Sequence, residues 1–319
     1  MKTGNAALWL IDRHVERGNG DAIAIRCRQR DVTYGELMRS TWRVQNALRQ
    51  LGVRSGERIL ILANDGPDMV SWMLGCLRSA VVAVPVPTDL AGDRVGDIAR
   101  ETEACLLVVS ASFRFLIDAA VRRTPRLFQA VIVDGPGRVA TSTIGGPTVV
   151  SWSDFSDDSE SPSWATTEES PALWFCRHDS TGRLVRVASD HGRMQSTYER
   201  YARVVDRLSS ADRVLGLEKL YLPSGLVWAF GVSLGAGATM ILEPGRSASP
   251  RGVCELIASE GATVFFADSE TALRMIEGDI DAVALRSIRT TVLGDEADGS
   301  VLVQRFSDRF GHVAIGTAT

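Results

Sequence analysis

The stretch Trp174-Phe175-Cys176-Arg177-His178-Asp179-Ser180-Thr181-Gly182-Arg183-Leu184-Val185-Arg186-Val187 reads as a strand, a turn and a second strand. Its turn, Ser180-Thr181-Gly182-Arg183, combines hydroxyls, a glycine and a guanidinium. Those are the groups that hold phosphate: backbone N–H donors must approach the oxygens closely, which favours glycine, and a cation must offset their charge. Asp179 works against this, because two negative charges about 4 Å apart repel by roughly 4 kcal/mol at an effective dielectric near 20. Val185 carries no charge, while Arg183 and Arg186 offer partial compensation, since guanidinium binds phosphate well. The residues therefore read as a weakened phosphate turn, and equally as an ordinary hairpin turn.

The remaining reactive side chains are dispersed. Cys27, Cys76, Cys105, Cys176 and Cys254 show no C-x-x-C spacing, so reduced core thiols fit better than a disulfide frame or a zinc site. His14, His178, His191 and His312 form no metal-ligand pattern, and no protein-held metal is expected. His178, Asp179 and His191 would serve acyl chemistry without ATP only if they converged; loop and cap roles are the simpler reading.

Elements that must position the turn follow from hydrophobic patterning. Arg58–Ala63, Val81–Pro85, Cys105–Val109 and Ala130–Val133 are apolar runs of the kind buried in parallel sheets. Helical patterns lie between them, over Asp68–Ser79, near Arg94–Glu103 and over Phe113–Arg122. Ala22–Val32 reads as a hairpin, followed by a helix that Thr33 and Glu36 open and Gly52 stops. After Ser170 the alternation resumes: strands at 172–176, 184–188, 213–217, 238–242, 263–266, 288–293 and 312–315, with helices at 191–208, 226–235, 251–259, 270–277 and 301–310. Repeated β-α-β units imply mostly parallel sheets covered by helices. The expected organisation is a first α/β subdomain over 1–155, an acidic surface linker over 156–170 and a second subdomain over 171–319.

With 319 residues, 45% of them hydrophobic and 23% charged, the chain can build a large core. A net charge of −4 gives no electrostatic reason to expect nucleic acid or an anionic membrane as partner. Ala6–Arg17 is too short and too charged for a signal peptide or a span, and reads as a surface helix of a cytoplasmic protein.

Read together, several segments resemble the adenylate-forming (AMP-binding) acyl- and aryl-CoA ligases. The turn resembles their S-G-S-T-G-x-P-K-G loop, with Asp179 at the first glycine and Leu184, Val185 and Arg186 at the Pro, Lys and Gly. Val32-Thr33-Tyr34-Gly35-Glu36-Leu37, Leu51-Gly52-Val53 through Gly56-Glu57-Arg58-Ile59, and Gly75-Cys76-Leu77-Arg78-Ser79-Ala80-Val81 follow that superfamily's N-terminal pattern in order. Lys219-Leu220-Tyr221-Leu222-Pro223-Ser224-Gly225-Leu226 is similar to the acyl-pocket motif of benzoate-type ligases, with Ser224 at the usual aromatic position; a helix start with core packing is the alternative.

The resemblance implies that Asp179, Ser180, Thr181, Gly182 and Arg183 are the remnant of a phosphate loop. His191, Leu222, Ser224 and Gly225 would line the acyl pocket. Gly294, Asp295, Glu296, Gly316 and Thr317 would be the remnant of the adenine side, with Ala318 and Thr319 at the family's Thr and Glu. ATP with magnesium and CoA are the implied cofactors. The resemblance spans the chain but only about the first two-thirds of a family member, so the lysine-bearing C-terminal domain is expected to be absent. Implied functions are an acid:CoA ligase-like domain impaired when alone, a non-catalytic carboxylate-binding or partner module, or ATP-independent acyl chemistry. Expected partners are a small aryl or acyl carboxylate and a homodimer mate or partner protein.

Overall fold

A computed structural model of the chain describes residues 4–28, 30–124, 126–127, 129–132, 148–179, 181, 183–205, 208–245, 249–294, 299–311 and 313–316. It contains two seven-stranded sheets, each largely parallel, as the apolar runs require. The strands are β1 (Ile23–Cys27), β2 (Arg30–Thr33), β3 (Arg58–Leu62), β4 (Val82–Pro85), β5 (Leu106–Val109), β6 (Gln129–Ile132) and β7 (Thr148–Ser151). They continue as β8 (Pro171–His178), β9 (Leu184–Asp190), β10 (Arg213–Gly216), β11 (Thr239–Leu242), β12 (Val264–Ala267), β13 (Thr290–Leu293) and β14 (Val313–Gly316).

One sheet runs β7-β6-β5-β3-β4-β8-β9 and the other β14-β13-β12-β10-β11-β1-β2. The two orders are the same pattern. In each, the first strand of a five-stranded parallel array is central, later strands add outward on one side, and a hairpin closes the other side. β8 joins β4 in parallel and pairs antiparallel with β9; β1 joins β11 in parallel and pairs antiparallel with β2.

This topology corrects the expected boundaries at 155 and 171. The first compact unit is Met1–Arg13 with Gly35–Met194, and the second is His14–Tyr34 with Gln195–Thr319. β8 and β9 complete the first sheet, and β1 and β2, from near the N-terminus, complete the second. β7 was not anticipated: it adds to β6 in register from Gln129↔Thr148 to Ile132↔Ser151.

Two surface assignments also change. Segment 156–170 is held on the first unit through its backbone carbonyls rather than hanging as a linker. Gln45 Nε2 donates to Pro162 O at 2.6 Å, Asn46 Nδ2 to Asp157 O and Ser159 O at 3.2 and 3.1 Å, and Arg78 to Ser161 O at 3.2 Å. Its acidic side chains face outward, and its composition reports only them. The N-terminal run is likewise not a surface helix, because Ala6, Ala7, Leu10 and Ile11 are buried. Within it Asp12 forms an ion pair with the buried Arg78, whose Nε donates to Gln45 Oε1 at 3.1 Å.

Candidate active site

In open α/β sheets, ligands bind beyond the carboxyl ends of the parallel strands. Two described segments occupy such positions, one in each unit.

In the first unit, β8 leaves the sheet at its carboxyl end and returns as β9. The register Cys176↔Arg186, Arg177↔Val185 and His178↔Leu184 carries the hairpin to its tip. There the Asp179 N–H donates to Arg183 O at 2.9 Å. The Asp179 Oδ1 accepts three bonds: from the Thr181 N–H at 2.9 Å, the Thr181 hydroxyl at 2.6 Å and the Arg183 N–H at 3.0 Å. The Thr181 hydroxyl, then the backbone donors, hold its carboxyl below the usual aspartate value. Ser180 and Gly182 lie outside the described residues. Arg186 does not serve the turn: its guanidinium stacks over Trp174 at 4.1 Å, back along the hairpin. The expected compensation from Arg186 is therefore directed elsewhere.

The hairpin's exit is well built. Asp190 Oδ1 accepts from the Arg193 N–H at 2.7 Å and so caps the helix His191–Val204. His191 is 3% exposed, and its Nδ1 accepts from the Ala6 N–H at 3.0 Å. That bond leaves the proton on Nε2, which is buried without a hydrogen-bond partner among the described residues. Burial pushes the imidazole down to about 4. The ring is thus a neutral anchor for the N-terminal segment, buried at the start of the helix where the resemblance implied a pocket residue.

In the second unit, β10 runs into Leu217–Leu222 and then a helical run from Pro223 to Ala236, its middle part, Leu226–Val232, wound as a π-helix. Gly225 is required here by close approach: a Cβ at this position would lie 2.1 Å from Lys219 O and 2.7 Å from Glu218 O. Lys219 Nζ donates to Glu243 O at 3.2 Å and Gly245 O at 2.5 Å, holding the exit of β11. Leu222 is 39% exposed, Ser224 is half-buried, and Leu226, Trp228 and Phe230 are core.

Trp228 brings this segment to Gly294. A Cβ on Gly294 would sit 3.1 Å from the Trp228 ring, which stacks on Phe266 at 5.6 Å. Gly294 follows β13, its N–H donating to Ala267 O at 2.9 Å. Gly316 ends β14 in register with Leu293, and Asp295, Glu296 and Thr317 lie outside the described residues. Of the expected residues, the structure therefore gathers Asp179, Thr181 and Arg183 in the first unit, while in the second Gly294 meets Trp228, three residues after Gly225.

One group was missed. Glu218, beside Lys219, has its carboxyl pushed up to about 7, chiefly by burial and then by neighbouring Asp268. Its only sequence signal was an acid inside apolar text. Elsewhere, a cavity of about 440 Å³ lined by Glu57, Arg58, Glu103, Cys105 and Arg126 lies at the amino ends of β3 and β5, the opposite edge from the turn. All five cysteines are free and buried. Among the described residues no group of three or more His, Cys, Asp or Glu could hold a metal, and no helix is long and apolar enough to cross a membrane.

Comparison with known proteins decides the ancestry. The family model for AMP-binding enzymes matches residues 11–318. The chain belongs to the AMP-binding enzyme family. It is 30% identical over 313 residues to a 3-hydroxybenzoate–CoA/4-hydroxybenzoate–CoA ligase of Thauera aromatica, covering 96% of this chain and 58% of that enzyme. A 4-hydroxybenzoate–CoA/benzoate–CoA ligase of Rhodopseudomonas palustris is 28% identical over 246 residues, 77% of this chain and 44% of that one. An anthranilate CoA ligase solved with anthranoyl-AMP shares the fold at a TM-score of 0.88 and 22% identity, over 98% of this chain and 60% of that structure. A benzoate CoA ligase from Burkholderia xenovorans LB400 aligns at a TM-score of 0.83 and 22% identity, over the same shares. The chain therefore spans just under three-fifths of the length of the curated relative first named, and its two mostly parallel sheets are those of the adenylate-forming N-terminal domain.

Proposed function

We propose that this chain is the acid-binding N-terminal part of an aryl- or acyl-CoA ligase, and that by itself it holds a small carboxylate but adenylates it poorly. The observation that carries the reading is the contrast between the two carboxyl-end segments. The segment expected to line the acid pocket has a close-packed backbone at Gly225 and, through Trp228, an aromatic contact to Gly294. The phosphate turn has Asp179 on the donors a nucleotide would need, with the cation of Arg186 over Trp174. As arranged, the described turn residues do not fit a triphosphate. Adenylation also needs cationic stabilisation of the phosphoryl centre, and at the turn Arg186 lies over Trp174 while the charge of Arg183 is drawn to Asp179.

The aryl substrates named for the relatives support benzoate-like acids as the ligand class. A non-catalytic carboxylate-binding module is the second reading, favoured by the same turn. Acyl chemistry without ATP has no such support, because His191 is a buried anchor.

The test compares ligands on the intact chain. Benzoate or a hydroxybenzoate is expected to raise the melting temperature more than Mg-ATP does, since ligands stabilise the native state by mass action. Carboxylate-dependent ATP–pyrophosphate exchange is expected at background. Exchange clearly above background would remove the impairment, and stabilisation by Mg-ATP with none by any acid would reverse the assignment.

A further inference from the structure

The 179–183 turn presents its donors to one point. Two backbone N–H groups, of Thr181 and Arg183, and one hydroxyl converge within 2.6–3.0 Å on a single anionic oxygen. Main-chain N–H groups of one turn aimed at a single acceptor make an anion-binding concavity. The shortest contact, 2.6 Å from the Thr181 hydroxyl, falls in the range of charge-assisted O–H···O⁻ bonds. A carboxylate oxygen and a non-bridging phosphate oxygen are alike here: both are anionic and accept only. One set of donors cannot serve both.

We infer that Asp179 is a built-in substitute for a phosphate oxygen, occupying the donors of Thr181 and Arg183 and excluding nucleotide phosphates from them. This rests on reading 179–183 as the phosphate-facing turn of an adenylate-forming chain. It changes what the aspartate does. On the sequence alone it repels phosphate across a gap; in the structure it takes the N–H groups of Thr181 and Arg183 and the Thr181 hydroxyl for itself. The surrounding charges agree with this. Arg186, the cation two strand positions from the tip, lies over Trp174, and the turn's anion is answered by backbone donors instead. The adjacent exposed Arg183 adds attraction for Asp179 from its side chain while its own N–H is one of the bonds. Removing the carboxylate would leave donors and a guanidinium facing solvent together.

Two measurements on the intact chain test this. The first uses magnesium pyrophosphate, which has no adenine or ribose to bind elsewhere, in calorimetric titrations of the wild type, Asp179→Asn and Asp179→Gly. Asp179→Gly is expected to bind at least tenfold more tightly than the wild type. Asp179→Asn, which keeps the oxygen acceptor but not its charge, is expected to fall between them. Equal affinity in all three would overturn the inference. The second follows the amide resonances of Thr181 and Arg183 by NMR as pH is lowered. In the wild type both are expected to move with one inflection below the ordinary aspartate value, and in Asp179→Asn neither should move. Amides indifferent to pH in the wild type would show that the carboxylate does not hold them, overturning the inference while leaving acid binding by the second unit untouched. Titrating amides without any gain in pyrophosphate affinity would overturn it as well, by showing that the freed donors do not receive phosphate. The acid-dependent thermal shift scores the functional reading separately.

Discussion

Two hairpins close the two sheets at the same topological place, and their aspartates are used differently. β1–β2 and β8–β9 each join a five-stranded parallel array through their first strand, and each is followed by a long helix, Tyr34–Gln50 or His191–Val204. Both use an aspartate. In β1–β2, Asp31 pairs across the strands with Arg26, its register partner, through two bonds of 2.9 and 2.8 Å. In β8–β9, the aspartate binds the turn's own N–H groups, and the nearby arginine stacks on an aromatic ring. An acid matched to a guanidinium is a cross-strand stitch. An acid matched to converging amides fills an anion site. The architecture supplies a hairpin in both places, and a few turn residues decide whether it is only a closure.

If turn chemistry is separable from the frame, stability should be lost in the frame and hardly at the tip. The largest loss is expected at Asp12→Ala, which leaves the Arg78 guanidinium buried without its ion-pair partner. Breaking a buried pair from one side costs about 3–5 kcal/mol. The denaturant midpoint of Asp12→Ala should fall far below wild type, while that of Asp179→Asn should move far less, because the bonds of Asp179 stay within one surface turn. Equal losses for the two variants would erase the distinction.

Next in size is Gly225→Ala. The added Cβ would meet backbone carbonyls rather than a movable side chain, so the turn after β10 must shift, and overpacking of this kind costs about 1–3 kcal/mol. Binding of an aryl acid should weaken in parallel, whereas Asp179→Gly should leave it unchanged. His191→Phe comes third: it strips the buried Ala6 N–H of its acceptor, a loss of about 1–3 kcal/mol partly offset by the added apolar packing. Thermal unfolding of the variant should show it, together with loss of the wild type's decline between pH 6.5 and about 4, where the unfolded chain takes up a proton that the buried ring refuses.

Much of this fold was legible because buried parallel strands are written as continuous apolar text: Arg58–Leu62 and Val82–Pro85 needed little more than their composition. The placement of the hairpins was not. Ile25 pairs with Met240, and nothing local to Ile23–Cys27 records a neighbour so far along the chain. The strap over 156–170 was hidden for another reason, since its contacts are made by main-chain carbonyls that composition does not report. At the site, Asp179 stood out as an anomaly, but the way it acts depended on where Oδ1 points. Glu218 was silent altogether, because burial shifts an acid without leaving a motif.

That acid sharpens the comparison at its smallest scale. Asp179 and Glu218 are carboxyls at carboxyl-end segments, yet one is held below its usual value by donors and the other pushed up to about 7 by burial and Asp268. Their effects on stability must therefore slope in opposite directions. Asp179 favours the folded state above the ordinary aspartate value, and that contribution is lost as pH falls through its lowered folded value. Glu218 is neutral in the folded chain where the unfolded chain has already ionised, so the native state binds the extra proton between 4.5 and about 7. Stability is then highest below 4.5, declines as pH rises, and levels off above about 7. Glu218→Gln removes the decline. Since the carboxyl is only half-buried, screening reduces the gain, and the variant should melt about 2 °C above wild type at pH 8 and level with it near pH 4.5. A constant offset at both pH values would mean that the substitution changes packing rather than ionisation, and that the folded chain does not hold the Glu218 proton up to about 7.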